Sequence, residues 1–255
     1  WAVSKAAAST TAADGTVSAW APAGTNGAAV QVASDGTVTV NYKVVVTNTG
    51  DITLKHPAIT DALTLPTGFG ITSVTVKQGA TTVYTGTTAS FTIPASTTTV
   101  APGGTVEYVV QIKATVTSPS TVDWVKAGRC NTDGAGDSGF GGFFNFVSLT
   151  GDSDGSANND ACVPITPASA TIKVYKLGAN CDVNVATCPL PGANFALYAV
   201  DPTTAGATPI ASGLTPDASN AVFTSTSLSY GVTYWLVETK APAGFSLLAQ
   251  PVQFS

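Results

Sequence analysis

The sequence predicts an all-β protein made of two β-sandwich domains in tandem. Gly 25 and Pro 15 among 255 residues, on a background of Thr, Ser, Val and Ala, suit many short strands joined by turns. Turn signals recur roughly every ten residues in the first half, the spacing of sandwich strands. No stretch sustains a 3.6-residue period with caps at both ends, so helix is expected to be minor.

The elements follow in order. Near the start, Val3, Lys5 and Ala7 fall on one face of a first strand. Residues 37–46 (TVTVNYKVVV) alternate as a strand and run into the turn TNTGD. ITDALTLPTGF (59–69) follows, with Asp61 on the face of Ile59 and Leu63. A strand over 71–77 and further strands near 81–93 come next. In APGGTVEYVVQI (101–112) a Pro-Gly-Gly turn opens another alternating strand. After Cys130 a glycine-rich loop leads into GGFFNFVSL (141–149). This order predicts an immunoglobulin-like topology for residues 1–165. Pro164-Ile165-Thr166-Pro167 reads as a short, stiff connector to a second domain, 166–255.

Two strings stand out in that second domain. In TIKVYK (171–176) one face carries Ile172, Val174 and Lys176, the other Thr171, Lys173 and Tyr175. In YWLVETKAPAGF (234–245), Tyr234, Leu236 and Glu238 share a face, which sets a carboxylate among apolar neighbours. A bare carboxylate there costs several kcal/mol unless it is protonated or paired. Lys176 is the partner the sequence offers.

Charged residues make up only 10% of the chain and hydrophobic ones 44%. The net charge of −5 and pI near 4.6 argue against nucleic acid, which needs a basic stripe. No apolar run reaches the length of a membrane span. The four cysteines allow three pairings. Proximity favours Cys130–Cys162 and Cys181–Cys188, one bridge in each proposed domain, and disulfides imply an oxidising compartment. Trp1, without a signal peptide before it, suggests a chain cut from a longer precursor.

TIKVYK, PGANFALY (191–198) and YWLVETKAPAGF together resemble the Cna B-type domain over roughly residues 168–255. That family is a transthyretin-like sandwich found in Gram-positive surface adhesins and pilins, and the glutamate string corresponds to its E-box. The resemblance implies that Lys176 attacks an Asn or Asp on the last strand, with Glu238 as proton shuttle. In the family a further strand follows the position of PVQFS (251–255) and carries the acceptor, so either the acceptor lies outside this chain or this domain forms no crosslink.

VTVNYKVVVTNTGD, ITDALTLPTGF, APGGTVEYVV and NFVSLTGDSDGSANNDAC resemble, more loosely, the Cna A-type or middle domains of pilins, over residues 1–165. This implies a crosslink from Lys5 to an asparagine, with Asp61 assisting. Asn145, flanked by Phe143, Phe144 and Phe146, is the preferred acceptor; Asn158 and Asn159, in a polar loop, are the alternatives. The chemistry needs low dielectric, because a desolvated lysine can be neutral and nucleophilic and a desolvated carboxyl can stay protonated.

Other chemistries have less to draw on. His56, the one histidine, precedes Pro57 beside a turn and is expected at the surface. No enzyme activity is expected beyond single-turnover crosslinking. Asp133 and Asp137 in DGAGD, and Asp152 and Asp154 in GDSDG, are hard oxygen ligands that suit Ca²⁺; they equally suit ordinary Asp-Gly turns. No other cofactor is expected. Trp20, Trp124 and Phe140 are candidates to line a groove, or else core.

The reading is an extracellular, cell-wall-anchored adhesin or minor fimbrial subunit of a Gram-positive bacterium. Its partners would be a host extracellular-matrix protein or glycan, with sortase and the wall engaged through a segment outside this chain. The alternative is a structural pilin polymerised by sortase. Neither a Tyr-Pro-Lys acceptor motif nor an LPxTG signal is present.

Overall fold

The computed structural model describes residues 1–11, 16–130, 141–178, 190–215, 222–224, 227–229 and 231–255. They form two compact units, Trp1–Pro167 and Ala168–Ser255, each a β-sandwich.

The first unit begins with β1 (Ala2–Thr11), β2 (Val17–Trp20), β3 (Val30–Gln31), β4 (Thr37–Thr47), β5 (Ile59–Thr64) and β6 (Phe69–Gln78). It continues with β7 (Thr81–Gly86), β8 (Ser90–Ile93), β9 (Thr105–Val116), β10 (Phe143–Leu149), β11 (Asp160–Val163) and β12 (Ile165–Thr166). One sheet has the order β2-β1-β4-β9-β6-β7, and the facing sheet β11-β10-β5-β8. Among the described residues helix is confined to a 3-10 turn, Pro119–Thr121, and a single turn, Trp124–Ala127, capped by the Asp123 side chain accepting from Lys126 N.

Strict alternation explains the long central strands. Val38, Val40, Tyr42, Val44 and Val46 of β4 all point inward, as do Val106, Tyr108, Val110, Ile112 and Ala114 of β9. The facing sheet answers with Ile59, Leu63, Phe91, Ile93, Phe143 and Val147. Burying each large side chain contributes about 1.5–3 kcal/mol. The Pro-Gly-Gly turn before β9 is held by Asn48, whose carbonyl accepts from Gly103 N at 2.8 Å and whose N–H reaches Gly104 O at 2.9 Å. Gly103 takes a positive φ of 71° there, a conformation a side chain would strain.

Residues 165–166 are not the connector the sequence suggested. They pair in parallel with β3 as β12, and Ile165 is fully buried in the first core. An apolar side chain with a β-branch found a sheet edge to fill, and the unit ends after Pro167.

Cys130 and Cys162 form a disulfide across 32 residues. In the chain-entropy model a loop of that size stabilises by about 3–4 kcal/mol. Replacing both cysteines by serine is expected to lower the unfolding free energy of the first unit by about that amount, measured by denaturant titration. Cys181 and Cys188 lie outside the described residues.

The second unit contains β13 (Ser169–Ala170), β14 (Lys173–Tyr175), β15 (Asn194–Tyr198) and β16 (Ala211–Leu214). β17 (Val222–Thr224), β18 (Leu228–Ser229), β19 (Tyr234–Lys240) and β20 (Val252–Phe254) complete it. A sheet of order β16-β15-β19-β20 accompanies the pairs β14-β17 and β13-β18. Among the described residues its core gathers Ala193, Phe195, Leu197, Leu228, Tyr234 and Leu236. Among the described residues no helix is long and apolar enough to cross a membrane.

Candidate crosslinking site

Lys5 sits in the middle of β1, opposite Val44 of β4. It shares its face of the strand with buried Val3 and Ala7, so the side chain runs into the sandwich and is 0% exposed. Asp61 enters from β5 in the other sheet, between Ile59 and Leu63, and is also 0% exposed. The two meet at 2.5 Å, Nζ to Oδ2.

Asn145 is the third member. On β10 it pairs with Leu63, while Asp61 pairs with Val147, so Asn145 and Asp61 are diagonal neighbours on the inner face. It is 0% exposed, on a strand whose Phe143 and Phe144 are buried too. Its amide N and O, and Asp61 Oδ1, have no partner of regular hydrogen-bond geometry. Burial raises the Asp61 carboxyl's pKa, and the neighbouring Asn145 side chain is among the groups that oppose that rise. A buried primary amide without regular partners is costly to keep.

Burial dominates the electrostatics. It pushes the Lys5 ammonium below the usual lysine range, with Asp61 pulling it partly back. Likewise it pushes the Asp61 carboxyl up, with Lys5 and then Asn145 opposing. Both shifts favour neutral amine beside protonated acid. That state has the same net charge as the ion pair, so reaching it takes one proton transfer within the pair.

These shifts imply a pH signature wherever the amine and acid stay unlinked, as in an Asn145→Ala variant. Folded Asp61 holds its proton above 3.8, so its contribution falls as pH rises from 3.8 through the folded value. Folded Lys5 releases its proton below 10.5, so stability recovers as pH rises from the folded value to 10.5. The difference in unfolding free energy between Asn145→Ala and Lys5→Met/Asp61→Leu/Asn145→Ala is therefore expected to be least favourable at intermediate pH. A pH-independent difference would contradict it.

The alternative acceptors are differently engaged. Asn159 is buried rather than exposed in a polar loop, and its Nδ2 donates to Asp152 Oδ2 at 2.7 Å. Asn158 directs its Nδ2 at Asp154 Oδ2, 3.4 Å away, and its backbone carbonyl accepts from Lys5 N at 2.7 Å. The loop around them is stitched onto β1, with Ser153 N donating to Trp1 O at 2.8 Å. The stitching leaves residues 153–157 exposed while Asn159 at the end of the loop is buried. Hydrogen-bonding between Asp152 and Asp154 raises the Asp154 pKa. Among the described residues no three His, Cys, Asp or Glu side chains form a metal-binding group. Asp133, Asp137 and Phe140 lie outside the described residues.

His56 is 1% exposed, not at the surface. Its Nδ1 lies 2.7 Å from Pro57 O, which can only accept, so Nδ1 carries the hydrogen. Nε2 lies 2.6 Å from the Tyr108 hydroxyl. The turn signal at His-Pro concealed an inward-facing ring, held edge-on against Trp1 and Tyr108. Trp124 packs edge-to-face on Phe69 as part of the core. Trp20 lines an open groove of about 510 Å³ with Thr75, Lys77 and Gln111.

In the second unit Lys176 Nζ lies 2.9 Å from Glu238 Oε1, with side-chain exposures of 14% and 0%. Glu238 Oε2 accepts from Leu248 N at 2.9 Å, which fixes the carboxylate against the segment that leads to β20. The sequence missed Tyr42. Its hydroxyl donates to Phe143 O at 2.6 Å and its ring faces Lys5 Nζ, 5.4 Å from the centroid. The one available signal was a tyrosine at an inward position in a run of valines.

Residues 172–255 match the family described as SpaA, a prealbumin-like fold domain. No curated protein matches the chain. Among solved structures it is similar to a singly substituted BcpA, the major pilin subunit of Bacillus cereus: 17% identity, 96% of this chain, 72% of that one, TM-score 0.34. The group B streptococcus pilus 2b backbone protein shares 20% identity over 88% of this chain and 87% of its own, TM-score 0.32. The pilus backbone RrgB of Streptococcus pneumoniae shares 12% over 100% and 93%, TM-score 0.33. Likenesses of this size say nothing about the site.

Proposed function

We propose, starting from a second unit of the SpaA prealbumin-like type, that this chain is a structural subunit of an extracellular pilin-type fibre. Its first unit is closed by an amide bond between Lys5 and Asn145. The observation that carries the reading is the enclosure of Lys5, Asp61 and Asn145 together, all at 0% exposure.

The chemistry balances with no added reagent. Neutral Lys5 Nζ attacks Asn145 Cγ while protonated Asp61 donates to the carboxamide oxygen. Asp61, now a carboxylate, relays the proton that Nζ loses to Asn145 Nδ2. The tetrahedral intermediate collapses as Nδ2 departs as ammonia and the oxygen returns its proton to Asp61. One C–N bond forms and one breaks, and Asp61 ends as it began. The bond forms once per chain.

It would join β1 of one sheet to β10 of the other, so tension on the sandwich passes through a covalent link. A force-bearing role uses that link directly, whereas it adds nothing to recognition of a host matrix protein or glycan. The structural reading is therefore preferred to the adhesin one. Polymerisation by a sortase and attachment to a Gram-positive cell wall belong to the same proposal, as does a parallel crosslinking role for Lys176 and Glu238.

Intact-mass measurement of the reduced protein tests the bond. The expected mass is lower than the sequence mass by at least one ammonia, with a linked peptide joining Lys5 to Asn145. The full sequence mass would defeat the proposal. Wall extracts of the source bacterium should show SDS-resistant, high-mass ladders containing this chain; monomer alone would remove the polymer.

A further inference from the structure

We infer that Tyr42 is a positioning residue for the Lys5–Asn145 reaction, tethering the acceptor strand through its hydroxyl while its ring bounds the amine. The inference rests on the crosslink proposed above.

Tyr42 and Lys5 are diagonal neighbours, since Ala7 pairs with Tyr42 and Lys5 with Val44 across β1 and β4. Both side chains turn into the core, at 0% exposure. Asp61 holds Nζ by hydrogen bond and the ring faces it at 5.4 Å, so the amine is confined from two directions. A ring face also attracts an ammonium more than a neutral amine.

The hydroxyl acts on the other reactant. It crosses the sandwich from β4 to donate to the Phe143 carbonyl at 2.6 Å. Phe143 lies two residues before Asn145, on the same inward face of β10. The hydrogen bond thus ties the strand bearing the nucleophile's neighbour to the strand bearing the acceptor. A phenylalanine would fill nearly the same space without a hydroxyl that needs a buried partner. Attack requires reacting atoms about 3–3.5 Å apart, and a shift of about 1 Å can cost a hundredfold in rate. One tether among several controls only part of such a shift.

The test is a crosslinking time course. Full-length chain is made by oxidising cell-free synthesis, quenched into denaturant at intervals, and weighed intact. Tyr42→Phe is expected to slow the loss of ammonia by about tenfold while reaching the same end point, with the pH dependence of the rate unchanged because the ring remains. In Tyr42→Leu the ring is lost, and the rising limb of the pH–rate profile is expected to move to lower pH. Folding is monitored separately in Asn145→Ala and Asn145→Ala/Tyr42→Phe, which cannot form this bond. If Tyr42→Phe crosslinks at the wild-type rate, or slows only as much as its folding slows, Tyr42 is not a positioning residue. Should the wild-type chain lose no ammonia from Asn145, the crosslink itself is refuted, and this inference with it.

Discussion

Lys5→Met is expected to lower the melting temperature of the first unit by about 10–20 °C. Lys5 and Asn145 are separated by about 140 residues, and closing a loop of that length stabilises by about 5 kcal/mol in the chain-entropy model. A unit of this size loses about 2–4 °C per kcal/mol. Methionine fills similar volume and removes a buried amine, so packing changes contribute little. Asn145→Ala should produce a drop of similar size, because either substitution abolishes the same bond. Differential scanning calorimetry of the three proteins decides the matter: a change under about 3 °C in both variants would mean that no covalent link exists to lose.

Asp61→Ala is expected to slow crosslinking by at least about a hundredfold, the usual scale for losing a general acid–base group. In the folded chain Asp61 is the carboxyl in contact with Lys5 Nζ. Its removal leaves a buried amine without the group that relays its proton. Freshly made Asp61→Ala protein should therefore retain the ammonia that the wild type loses, as read by intact mass after matched incubation. Ammonia loss from Asn145 at the wild-type rate would show that the carboxyl is a structural counter-ion and nothing more.

Much of the fold could be read along the chain because its strands are long and alternate cleanly. The inward positions of β4 and β9 follow directly from the valines and isoleucine of TVTVNYKVVV and TVEYVVQI. The same parity placed Lys5 with Val3 and Ala7, and Asp61 with Ile59 and Leu63. What parity does not contain is which strands face one another. That Asp61 and Asn145 are diagonal neighbours depends on the β5–β10 register, a contact between segments far apart in sequence. The burial of His56 was hidden for a related reason. Its neighbours His-Pro read as a turn, and the ring's partner, Tyr108, lies 52 residues away. β2, β3 and β12 were likewise invisible: each is too short to show a period, and their existence depends on an edge supplied elsewhere.

The order of synthesis gives the separation between Lys5 and Asn145 a further meaning. Lys5 emerges from the ribosome long before Asn145, on a strand that finds its place only when β4 arrives to pair with it. The reactive amine spends that interval in water, charged and inert. The proposed bond can therefore form only once the whole unit has closed around its own reagents.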